Sequence, residues 1–269
     1  MQRYVCVHGH FYQPPRENPW LEEIEIQDEA YPFHDWNERI TEECYAANAA
    51  SRILSPDARI LEIVNNYTRI SFNFGPTLLS WMERHQADVY QQIIKADAES
   101  RRRFGGHGSA IAQVYNHMIM PLANERDQRT QVIWGMRDFS HRFGRLPEGM
   151  WLSETAVDVP TLEALAAQGI RFTILEPGQA ARVRPLAGGQ WTDVGGGRID
   201  PRRPYRATLP SGKSIDLFFY DGPASRAVAF ESLLSSGETF AGRLTGLLDQ
   251  TRTGPQLAHI ATDGERRSP

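Results

Sequence analysis

Six short apolar runs, each ending in polar or ionisable residues, set the rhythm of the chain. Residues 4–7 lead into His8-Gly9-His10, 70–74 into Gly75-Pro76 and 149–152 into Ser153-Glu154. Residues 172–175 lead into Glu176-Pro177, 215–220 into Asp221-Gly222 and 257–262 into Asp263-Gly264-Glu265. Such nearly continuous runs, without strict alternation, predict strands buried on both faces of a parallel sheet. The stretches between them have helical spacing. Ile40, Cys44, Ala47, Ser51 and Leu54 recur at intervals of four, three, four and three and predict one helix over 38–54, stopped by Pro56. Helices are also predicted over 76–84 and 88–103, over 124–143 with Asn124 as N-cap, and over 158–168. In the last, Asp158 caps the helix, Pro160 sits in its first turn and Gly169 ends it. Strands alternating with helices make an α/β fold, and ligands of such folds bind at the carboxyl ends of the strands. One stretch breaks the rhythm: 178–210 is rich in Gly, Pro and Arg and reads as a long loop or insertion, either a solvated connection or a cover for substrate.

Composition narrows the classes. The chain has 269 residues, of which 41% are hydrophobic and 23% charged, so it has enough apolar material for a folded core. A net charge of −4 argues against a nucleic-acid partner bound by general electrostatics. Two cysteines, Cys6 and Cys44, exclude a disulfide scaffold or a Cys-rich zinc module and read as reduced thiols of a cytoplasmic protein. No apolar run reaches the roughly 20 residues of a membrane span. Residues 1–10 lack the basic-then-apolar pattern of a signal peptide.

Chemistry is concentrated at the strand ends. His8 and His10, two apart on an extended segment, face the same way and suit either a metal or hydrogen bonds to a polar substrate such as a sugar. His107 and His117 form a second cluster that could reach the same face. Four carboxylates, Glu154, Glu176, Asp221 and Asp263, follow apolar strands. Cleavage of a bond between sugars needs two such groups flanking it, and the pattern alone does not choose the pair. Trp20, Trp36, Trp151 and Trp191 offer flat faces for a sugar ring or anchors for the core. Ser153 lacks the G-x-S-x-G context of a nucleophile elbow, and Gly195-Gly196-Gly197 lacks the Lys of a phosphate loop.

Four ordered motifs make the chain resemble glycoside hydrolase family 57, which contains α-amylases, 4-α-glucanotransferases and branching enzymes, with most likeness to its amylase-like bacterial branch. They are His8-Gly9-His10-Phe11-Tyr12-Gln13-Pro14-Pro15, Asn116-His117-Met118-Ile119-Met120-Pro121, Gly149-Met150-Trp151-Leu152-Ser153-Glu154 and Thr262-Asp263-Gly264-Glu265. The resemblance covers nearly the whole chain. It implies one catalytic unit over 1–269 with an incomplete seven-stranded (β/α)7 barrel. It also implies a retaining mechanism on α-glucosidic bonds of an α-glucan or maltooligosaccharide, without metal or cofactor. By position Glu154 matches the family's nucleophile and Asp263 its general acid/base. His8, His10, His117, Trp151 and Gln13 match substrate-binding positions. The first motif departs from the family pattern in having Phe11 and Tyr12 between His10 and Gln13. Family members continue into helical segments holding a fifth motif, and Arg266-Arg267-Ser268-Pro269 does not read as a barrel helix. The expectation is therefore a C-terminally truncated barrel with uncovered apolar surface, which favours poor solubility or a homo-oligomer.

Two other readings compete. A metal-dependent polysaccharide deacetylase would bring His8, His10 or His107 and a carboxylate around one ion. An inactive carbohydrate-binding fragment would bind glucan without turnover.

Overall fold

A computed structural model describes residues 2–265; Met1 and Arg266-Arg267-Ser268-Pro269, including the tail expected not to form a helix, lie outside the described residues. Seven parallel strands follow one another in chain order: β1 (Arg3–Phe11), β2 (Ser71–Phe74), β3 (Ala112–Gln113), β4 (Met150–Trp151), β5 (Phe172–Leu175), β6 (Ser214–Phe219) and β7 (Gln256–Asp263). β1 pairs with β7 on one side and β2 on the other. A parallel bridge from Phe72 to Ala110 carries the order to β3, which pairs with β4, and a bridge from Gly149 to Phe172 carries it to β5, which pairs with β6. At the far end Asp221 N–H donates to the His259 carbonyl at 2.7 Å, joining the exit of β6 to β7. The pairing is divided among short sheets, with no closed barrel detected among the described residues. An antiparallel strand, Tyr205–Thr208, takes the edge of β6, and the segment before it bonds to β7 through Leu257 N–H and the Arg202 carbonyl.

The alternation of strand and helix is as the apolar runs predict. Helices Pro76–His85, Ala87–Arg103, Glu125–Phe143 and Val159–Ala167 occupy the predicted stretches. Asn124 and Asp158 accept from Asp127 N–H and Thr161 N–H as their caps, and Gly169 has φ +85°. Leu78, Leu79, Met82, Ile93, Val132 and Leu165 pack these helices onto the outer side of the strands. Ile111, Trp151, Ile174 and Ala261 fill the inner side.

Two expectations are corrected. The helix over 38–54 ends at Ala49, after loosening into a π turn over Thr41–Tyr45; Ser51–Leu54 then turns into a hairpin with Ile60–Val64. The β-branched residues Ile53, Ile60, Ile63 and Val64 favour the pleated form, and a five-residue apolar match cannot separate the two periods at a helix end. Segment 178–210 is not a free connection. It holds a small pair, Arg182–Val183 with Thr192–Asp193, and buries Val194, Ile199 and Leu209.

β3 was not predicted, because two residues are too short to show a period. It is fixed instead by a buried ion pair at its entry. Asp97, 1% exposed, accepts from Arg145 Nε at 2.8 Å, Arg145 Nη2 at 2.7 Å and Ala110 N–H at 2.9 Å. Breaking a buried pair from one side strands the other charge. Asp97→Ala is expected to lower the unfolding free energy by about 3–5 kcal/mol in urea titrations; a change within 1 kcal/mol would refute the clamp.

Candidate active site

Parallel register sets the site. Residues opposite one another on parallel neighbours share a face, so the pairs His8 with Ser71 and Ala261, and His10 with Asn73 and Asp263, bring one layer of polar side chains to the inner carboxyl ends. There a cavity of about 190 Å³ opens, lined among others by His10, Trp151, Glu154, Thr155, Tyr220 and Asp263. Glu154 and Asp263 are both exposed at this cavity. The two carboxylates left open by the strand pattern have other work: Glu176 accepts from Gly178 N–H and Asp221 from Ala224 N–H, each capping the turn or helix it starts.

Backbone strain gathers at the same place. His117, Glu154 and Thr155 have φ of +53°, +54° and +53°, left-handed conformations that cost non-glycine residues roughly 1–3 kcal/mol each. The turn after β4 is held by Thr155 N–H on the Leu152 carbonyl, Ala156 N–H on the Ser153 carbonyl and Gln179 Nε2 on the Thr155 carbonyl. It carries Glu154 off the strand line to the cavity.

Aromatic rings form a continuous stack beside it. Tyr12 lies on His117 (centroids 3.9 Å apart), His117 on His10 (5.0 Å), and His10 on Trp151 (5.1 Å), with His8 on the same indole at 4.9 Å. His10 Nε2 and His117 Nε2 are 2.9 Å apart. Burial, then the neighbouring His259 and His10, push His8 down to about 3. Burial and His117 push His10 down to about 3. Burial lowers His117 as well, against the pull of Glu154 and Asp263. The rings are therefore neutral near pH 7.

Not every expected site residue reaches the cavity. His8 is fully buried behind it, with Nδ1 on Ser71 and Nε2 on Asn73. Gln13 points to Tyr45, at 3.4 Å from its hydroxyl, and accepts from Arg16 at 2.7 Å. His107 pairs with Glu148 at the opposite end of the strands, which corrects its placement with His117. The ring nitrogens of His8 and His10 are thus engaged and His107 is remote. Among the described residues no three His, Cys, Asp or Glu side chains group as a metal site would require.

The Phe11-Tyr12 departure has a structural use. The Phe11 ring lies where a Cβ on Gly264 would stand, and 2.8 Å from one on Gly9, so both glycines make room for it beneath the turn after Asp263. Tyr12 rises on the other side to cover His117. Glu265, the last residue of the fourth motif, ties the two ends together: its Oε1 accepts from Tyr12 N–H at 2.8 Å and from Tyr45 Oη at 2.7 Å. Burial is the main cause that raises this carboxyl from 4.5 to about 7, and Asp263 adds to it.

Comparison with known proteins adds the relatives. The profile described as glycosyl hydrolase family 57 matches residues 6–268. Alpha-amylase 1 of Dictyoglomus thermophilum is 23% identical over 107 residues, covering 40% of this chain and 15% of its own length. The exo-type maltose-forming amylase of Pyrococcus sp. ST04 has a TM-score of 0.67 at 18% identity, over 98% of this chain and 43% of that one. The 4-alpha-glucanotransferase of Thermococcus litoralis has a TM-score of 0.65 at 17% identity, over 98% of this chain and 34% of that one. The chain thus spans less than half the length of these relatives. Solved structures of a "probable Polysaccharide deacetylase" of Pseudomonas aeruginosa PAO1 and a "putative polysaccharide deacetylase" of Mycobacterium smegmatis share the fold at 10% and 13% identity, so fold alone does not decide the chemistry.

The Glu265 carboxyl yields a pH signature. The folded chain holds its proton more tightly than the unfolded chain, so its contribution is full below about pH 4.5 and is lost as pH rises to about 7. Relative to Glu265→Gln, the wild-type unfolding free energy is expected to fall by at most about 3 kcal/mol across that window. Denaturant titrations at several pH values test this; a difference that does not change with pH would refute it.

Proposed function

The chain belongs to glycosyl hydrolase family 57, and from that premise we propose that it cleaves α-glucosidic bonds with retention, using Glu154 as nucleophile and Asp263 as general acid/base. The observation that carries this is the meeting of the two carboxylates, from the ends of β4 and β7, at one cavity walled by Trp151 and His10. Glu154 attacks the anomeric carbon while Asp263 gives its proton to the departing glycosidic oxygen. In the second step Asp263 takes a proton from the incoming hydroxyl, which attacks the glycosyl ester and frees Glu154. Water as acceptor gives hydrolysis; a second sugar gives 4-α-glucan transfer. The indole of Trp151 offers a face to the sugar ring, with His10 and His117 beside it and His8 and Gln13 supporting from behind.

On this reading the seven parallel strands form an incomplete (β/α)7 barrel, and the substrate is an α-glucan or maltooligosaccharide. Cys6 and Cys44, thiols that form no disulfide, support a cytoplasmic location. Among the described residues no helix is long and apolar enough to cross a membrane. The exposed apolar hairpin carrying Ile53, Ile60, Leu61 and Ile63 supports self-association.

Incubation with maltooligosaccharides, with products resolved by size and anomeric form, tests the proposal. Shorter α-anomers mean hydrolysis and a ladder of longer and shorter chains means transfer. Binding without products would overturn catalysis and favour the inactive-fragment reading. Glu154→Gln, which keeps shape but removes the charge, is expected to lower kcat by about 10³-fold or more while glucan binding is retained. Undiminished turnover would remove Glu154 from the mechanism.

A further inference from the structure

Asn73 interrupts the apolar run of β2 and sits at the centre of a buried network whose polarity a backbone group fixes. Gln113 Nε2 donates to the Val114 carbonyl at 3.4 Å, so Gln113 Oε1 faces Asn73 and accepts from its Nδ2 at 2.7 Å. The second Nδ2 proton meets His10 Nδ1 at 2.8 Å, and Asn73 Oδ1 lies 3.1 Å from His8 Nε2. Reversing the Asn73 amide would reverse that of Gln113 and set its carbonyl against that of Val114. Asn73 and Gln113 are 1% and 3% exposed, so water does not relieve such a clash.

The rest follows from donor counting. His10 Nδ1 accepts a hydrogen bond from Asn73 Nδ2, so it carries a lone pair and the ring's own proton is on Nε2. His10 Nε2–H then donates to His117 Nε2, 2.9 Å away, which leaves the ring proton of His117 on Nδ1. His8 donates from Nε2 to Asn73 Oδ1 and accepts at Nδ1 from the Ser71 hydroxyl at 3.0 Å. From Gln113 Nε2 to His117 Nε2, each bond of this network pairs one donor with one acceptor.

We propose that Asn73 is a positioning residue that fixes the tautomers of His8, His10 and His117, holding His10 as a donor to His117 so that neither ring of that pair carries a second proton. Its catalytic consequence rests on the reading above. A cationic ring beside Glu154 and Asp263 would favour both as carboxylates and deprive the general acid of its proton. Neutral rings leave that proton in place, and the His10–His117 bond holds the stack against Trp151.

The tautomers are directly measurable. Long-range 15N–1H correlation spectra of the uniformly 15N-labelled full chain at pH 7 are expected to show His8 and His10 protonated only at Nε2, and His117 only at Nδ1. A proton on Nδ1 of His10, or an imidazolium at either His8 or His10, would overturn the proposal. Asn73→Asp can only accept from His10, so Nδ1 of His10 should become protonated and kcat on maltooligosaccharides should fall about 10²-fold with KM little changed. A folded Asn73→Asp chain with an unaltered His10 spectrum would also overturn it. Should that variant fail to fold, the wild-type spectrum decides alone. A wild-type chain inert on glucans but with the stated tautomers would defeat the proposed reaction and leave the assignment of Asn73 standing.

Discussion

Parallel strands share a face at each register position, and the site depends on that constraint. His10 has Asn73 on one flank and Asp263 on the other because β1 lies between β2 and β7 in this register. The three side chains come from the beginning, the first third and the end of the described chain. A slip of β1 by one residue would turn His8 and His10 to the helix-covered side, where Phe72, Phe74 and Met82 leave no polar partner, and a slip of β7 would do the same to Asp263. Register, rather than any loop, is what brings the second carboxylate to the cavity.

This interior is costly. Left-handed turns at His117, Glu154 and Thr155, and a layer of buried imidazoles and amides, all work against stability. Where every donor finds an acceptor, as around Asn73, the layer is rigid at modest cost. His259 is different: it is buried on β7 with neither ring nitrogen partnered, and burial pushes it down to about 4, so it is neutral. Trp151 Nε1 and Ser153 Oγ are unpartnered as well. The outer apolar layer, with large side chains such as Phe72, Leu79, Met82 and Ile93 fully enclosed, supplies the offsetting burial.

Much of this architecture was legible in the residue order. Six of the seven parallel strands and four helices fall where the apolar runs and caps put them, because buried strands and amphipathic helices leave strong local periods. The strand-end placement of Glu154 and Asp263 was legible for the same reason. The hairpin after Ala49 was not, since Ser51 and Leu54 of its first strand continue the helical spacing of Ile40, Cys44 and Ala47. β3 was invisible at two residues. Gln113 lies on it, so half of the amide pair that orders the histidines carried no signal; Asn73, a polar residue inside an apolar run, did carry one.

Local pattern therefore determined the alternation of elements, the family through its four motifs, and the set of ionisable residues at strand ends. It did not determine which of four carboxylates share a cavity, that His8 and Gln13 stand behind the site, or that His107 lies at the other end. Those depend on register, on a left-handed turn and on who caps which helix. Such relations join residues distant in the chain, and no local period records a contact made only when the strands are laid side by side.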